Sequence, residues 1–168
     1  MWLGAFIFTI GCTQWIDAYS WYVNAPSREA NAAIRYGTGL ILALEPLVSY
    51  GGLVYATTIR FSTLYEVSLG LFLLMLYVYW TTLCEKTTIS SDGFLKWCDA
   101  MPPFLVKVAF LFFLIVPFLW FPDPFLRILV SSICIIGFLY SLTKEAFGSH
   151  WCYSVNALSG LTLLRLAY

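Results

Sequence analysis

Residues 11–23, GCTQWIDAYSWYV, decide how this chain is read. The stretch is mostly apolar and aromatic, yet it carries Gln14 and Asp17. An acid on a soluble helix needs no comment. An acid in a segment bound for hydrocarbon is costly, and by default it marks a functional site. The first question is whether the surrounding sequence belongs in a membrane.

The totals say that it does. Of 168 residues, 61% are hydrophobic and 11% charged, against roughly half and a quarter in soluble domains. Mean hydropathy is +0.82. Nine Lys+Arg balance nine Asp+Glu, so there is no basic face and a nucleic-acid partner is excluded. The bilayer is the expected partner. A second copy of the chain or a membrane partner subunit stays open. No basic segment precedes the first apolar run, which therefore reads as a retained helix rather than a cleaved leader.

A helix needs about 20 mainly apolar residues to cross the hydrocarbon. Six stretches qualify: 2–23, 33–58, 64–83, 103–121, 124–143 and 149–167. The expected fold is all-α, a polytopic membrane protein with six transmembrane helices in one bundle. All of 1–168 forms a single transmembrane domain. NAPSREAN (24–31), TIRFST (58–63), WFPDP (120–124) and TKEAFGSH (143–150) supply polar or proline breaks, with Gly148 as a helix stop. The second and third helices are alternatively one long bent element, and the fourth and fifth a re-entrant hairpin. The loop 84–102 is the only long one. Its Phe94, Leu95 and Trp97 among charges suggest a short helix along the interface, or a docking site for a partner.

Trp and Tyr gather near segment ends, among them Trp15, Trp21, Trp80, Trp97, Trp120 and Trp151. Interfacial belts account for them, because such rings have one apolar and one wet end. Arg28, Arg35, Lys86, Lys96, Lys107 and Lys144 fall on one side of the six-span topology; Arg60, Arg127 and Arg165 fall on the other. The excess places the long loop in the cytoplasm and both termini on the non-cytoplasmic side. Cys84 and Cys98, flanking that loop, are then free thiols; on the opposite topology they can form a disulfide.

Gln14, Asp17 and Trp21 share one face of the first helix, at i, i+3 and i+7. Counted from Val23, Asp17 lies about 9 Å and Gln14 about 13 Å inside. The second helix presents Thr38, Glu45, Ser49, Gly52 and Ala56 along one stripe, with Pro46 freeing the carbonyl of Leu42. The last helix presents Ser149, Cys152, Asn156, Ser159 and Gly160. Turned inward, these stripes bring Gln14, Asp17, Glu45, Ser49 and Asn156 into one polar cluster, with His150 near its mouth.

No basic residue matches the depth of Asp17 or Glu45, since Lys107, Arg127 and Arg165 lie near helix ends and reach the interface. The acids must then be protonated, be hydrated or hold a cation. The functional reading is a site for protons, small cations or a small polar solute. The competing reading is polar packing between helices. His150 fits an interfacial position beside Trp151, with proton shuttling as the alternative. RYGTGL (35–40) lacks the potassium-filter sequence, and its glycines read as close-packing positions. Five cysteines without a CxxC spacing and a single histidine offer no zinc pattern, and no cofactor is expected. An enzyme built on Asp17, Glu45 and His150 is the weakest reading, since no hydrolase or HExxH spacing accompanies them.

TQWIDAYSW (13–21), LEPL (44–47) and GSHWCYSVN (148–156) resemble an uncharacterised family of small polytopic membrane proteins of large DNA viruses and some bacteria. The matching positions are Gln14, Asp17, Trp21, Glu45, Pro46, Gly148, Ser149, Trp151 and Cys152. Asp17 stands where that family has Glu, and Glu45 where it has Gln. The resemblance touches three of the six segments and implies no activity. It implies that the polar residues singled out on energetic grounds are also a signature.

Overall fold

The computed structural model describes residues 2–98 and 102–156. Ser159, Gly160, Arg165 and the C-terminal part of the sixth expected span lie outside the described residues. The described residues are mainly helical, with one small hairpin. The elements are α1 (Trp2–Tyr22), α2 (Arg28–Thr57), α3 (Thr63–Leu83), β1 (Thr88–Ile89), β2 (Leu95–Lys96), α4 (Phe104–Leu119), α5 (Pro124–Leu142) and α6, helical over 147–156. Among the described residues, three helices are long and apolar enough to cross a membrane: α2, α3 and α5. α4 is apolar but has 16 residues.

Helix starts follow ordinary capping chemistry. Ser27 accepts the Ala30 N–H at 3.1 Å and begins α2 several residues before the apolar run. Ser62 caps α3 through the Tyr65 N–H at 3.4 Å. Asp123, followed by Pro124 in the first turn, accepts the N–H groups of Phe125 and Leu126. Between α2 and α3, Thr58 adopts a left-handed conformation at φ 60°, so the two are separate helices rather than one bent element.

α2 is the central post. α1, α3 and α4 pack on it, and α5 packs on α4. α6 meets α4 and α5 through Trp151, whose ring lies 6.3 Å from that of Phe110 and 6.0 Å from that of Phe138. Over Ala33–Thr38 the α2 backbone widens into a π-helical turn. There the Ile34 carbonyl accepts the Trp80 indole N–H at 3.1 Å, and Arg35 Nε donates to the Thr81 carbonyl. Gly37 and Gly39 are close-packing positions: a Cβ would stand 2.8 Å from Ile16 at the first and 2.8 Å from Trp80 at the second. Outward faces are apolar, as at Phe8, Leu71, Leu74, Phe112, Ile128 and Ile136, a pattern that suits contact with lipid chains.

Three expectations need correction. The 84–102 loop contains no interfacial helix among the described residues; it folds back as an antiparallel hairpin pairing Thr88 with Lys96 and Ile89 with Leu95. Its turn is Ser-Ser-Asp-Gly, with Gly93 at φ 82° and its N–H donating to the Ser90 carbonyl. Gly148 does not stop a helix, because it lies in the first turn of α6. A Cβ there would stand 2.3 Å from the Trp97 ring, so glycine is required for clearance. Finally, Trp80, Trp97 and Trp151 are not belt residues. All three are buried, while Trp15, Trp21 and Trp120 are exposed.

Candidate functional site

The two acids occupy different surroundings. Asp17, five residues before the end of α1, is met by the hairpin and by α6. Its Oδ1 accepts the Trp97 indole N–H at 2.6 Å. The Ser149 hydroxyl lies 3.0 Å from Oδ2 and 2.7 Å from the Leu95 carbonyl, so its single proton is divided between two acceptors. A carboxylate with such donors is stabilised by charge-assisted bonds, each worth about 1.5–3 kcal/mol. Asp17 thus ties α1, the hairpin and α6 together on the loop side.

Glu45 sits deeper in α2 and is fully buried. Neither of its carboxyl oxygens has a hydrogen-bond partner among the described residues. The side chain faces α5 and α6, within electrostatic reach of Cys134 and Cys152. Cys152 also hydrogen-bonds Thr13 and lies within reach of Asp17. No hydrogen bond joins the two acids. Pro46 follows Glu45 inside the helix.

The remaining candidates are dispersed. Ser49, one turn past Glu45, donates to the Leu114 carbonyl at 2.8 Å and joins α2 to α4. The Gln14 amide nitrogen is buried without a partner among the described residues, as are the hydroxyls of Thr38 and Ser131. Thr38 is two turns from Glu45 on the same face of α2, and Ser131 shares the inward face of α5 with Cys134. Asn156 is helical and half-buried, with no hydrogen bond to the other five candidates among the described residues. His150 is buried beneath the hairpin. Its Nε2 lies 2.8 Å from Asp92 Oδ2, and its ring stacks on Phe94 at 4.0 Å between centroids.

Four of the six candidates take distinct places: a satisfied carboxylate at Asp17, an unmet carboxyl at Glu45, a helix tie at Ser49 and a hairpin latch at His150, while Gln14 and Asn156 join none of these among the described residues. Trp97 and Asp92 were not among the six, although each holds one. The Ser90 hydroxyl and His150 hold the Asp92 carboxyl below the usual carboxylate range. The signal for the hairpin was Asp-Gly between short apolar runs, a standard hairpin turn. Among the described residues there is no group of three or more His, Cys, Asp and Glu placed to hold a metal ion. Compared with known proteins, the chain matches no family model, no curated protein and no solved structure.

Proposed function

We propose that this chain is an integral membrane protein of six spans, with Glu45 as the exchanging group of a small transporter or channel-like protein for protons, a cation or a small polar solute. One observation carries the reading: a fully buried carboxyl whose two oxygens lack partners among the described residues. An unpaired ion in that setting costs far more than a neutral acid. Such a group is stable with a proton bound or with a cation supplied from outside.

Its depth supports this. Arg35 of α2, bonded to the last turn of α3, marks the loop-side boundary. Glu45 lies ten residues further along α2, about 15 Å at 1.5 Å per residue, near the middle of a hydrocarbon core about 30 Å thick. The 21 residues of α1 extend about 31 Å. The Lys/Arg excess on the loop side favours a cytoplasmic loop and non-cytoplasmic termini.

The test is flux into proteoliposomes carrying a trapped pH-, sodium- or potassium-sensitive dye, each under the matching imposed gradient. Wild type is expected to dissipate one of these gradients, and Glu45→Gln to block it while remaining folded. Flux unchanged in Glu45→Gln, or no flux of any of the three in wild type, overturns the reading. The alternative is a structural or assembly subunit packing against a membrane partner or a second copy. The satisfied Asp17 site favours it, since that acid acts as a tie. Co-purification of one fixed companion in mild detergent would mark that role.

A further inference from the structure

Beneath the hairpin, a narrow apolar trough, open along one side, lies between α2, α3, α4 and α6. Its walls are apolar for an identifiable reason. Trp80, Trp97 and Trp151 line it. The N–H of Trp80 is committed to the Ile34 carbonyl and that of Trp97 to Asp17, so both rings present carbon to the cleft. Gly148 lets the Trp97 ring press against α6. The lining reaches down to Leu42, one turn short of Glu45.

Lys107 is the one charged side chain of that lining. Its ammonium rests 4.5 Å from the Phe147 ring centroid and makes no ion pair among the described residues. It lies three residues into α4 from Phe104, about 4.5 Å along the axis, at the loop-side edge. An apolar trough with an unpaired cation at its lip is complementary to a ligand with a hydrocarbon tail and an anionic head. In a bilayer, the abundant molecule of that kind is an anionic phospholipid.

We propose that this trough seats part of one acyl chain of an anionic phospholipid, the rest of the chain lying in the bilayer, with the phosphate held by Lys107. The proposal rests on the membrane reading of the chain and not on exchange at Glu45. Native mass spectrometry from mild detergent, with phosphatidylglycerol and phosphatidylcholine added in turn, tests it. Wild type and Glu45→Gln are both expected to retain one phosphatidylglycerol, with roughly fivefold preference over phosphatidylcholine, the scale of one lysine's attraction to anionic lipid. Lys107→Gln should lose the preference and Lys107→Arg should keep it. Val106→Phe, which fills the trough, should lower retention of both lipids. Inorganic phosphate should not displace the lipid. Equal retention of the two lipids by wild type, a preference surviving Lys107→Gln, unchanged retention in Val106→Phe, or displacement by phosphate alone each overturns it.

Discussion

Asp17 and Glu45 are both acids in apolar helices, but their surroundings differ. Asp17 receives an indole N–H at 2.6 Å and shares a hydroxyl at 3.0 Å, and in doing so fastens the hairpin to α1 and α6. Glu45 is more deeply buried and receives no hydrogen bond among the described residues. Depth alone does not identify a working acid. Satisfaction separates them: the first carboxyl is bonded within the fold, and the second has no partner among the described residues.

Opposite responses to truncation would sharpen that contrast. Asp17→Ala removes the acceptor shared by Trp97 and Ser149. Thermal unfolding in detergent should show the largest loss of the set, about 1.5–3 kcal/mol for each bond. A loss below the error of the measurement would place Asp17 with Glu45. Gly148→Ala attacks the same tie from its far side. The new Cβ collides with Trp97, and overpacking of this kind costs about 1–3 kcal/mol. Indole fluorescence should shift as Trp97 leaves Asp17.

Glu45→Leu should move stability the other way. It replaces a buried polar group lacking a partner by an apolar one, a change worth up to about 1–3 kcal/mol toward the folded state. Marked destabilisation by Glu45→Leu would mean that the carboxyl has a structural partner after all, and the contrast would fail.

The smallest effect is expected at the hairpin latch. Asp92 has a folded-state value below its unfolded one. Its contribution is therefore complete above the ordinary carboxylate range and disappears as pH falls through the lowered value. Amide exchange at Ser90 and Phe94 should quicken in that acidic window, and Asp92→Asn should remove the acid dependence. Because Asp92 is exposed, solvent screening keeps the effect small.

The helical segments were legible because a run of about 20 apolar residues admits few other fates. The caps at Ser27, Ser62 and Asp123 were not read: Ser27 starts its helix at Arg28, inside the stretch taken as a polar break. The polar cluster was only half legible. Helix periodicity places Asp17, Glu45 and Asn156 on stripes, but it does not fix how far each helix turns about its axis. It also gives no account of a loop that folds back over the bundle. Trp97 illustrates the gap. Read by composition it belongs in a belt; in the fold it is buried and serves as Asp17's donor. Gly148 misled for a related reason: glycine ends helices often, but here it makes room for a ring from the loop.

The measurement that bears most directly on the central contrast is infrared difference spectroscopy of the reconstituted protein during a pH or cation jump. Wild type and Asp17→Asn are expected to show the same carboxyl C=O band changing with the jump, and Glu45→Gln to lack it. A band that disappears in Asp17→Asn and persists in Glu45→Gln would contradict the account.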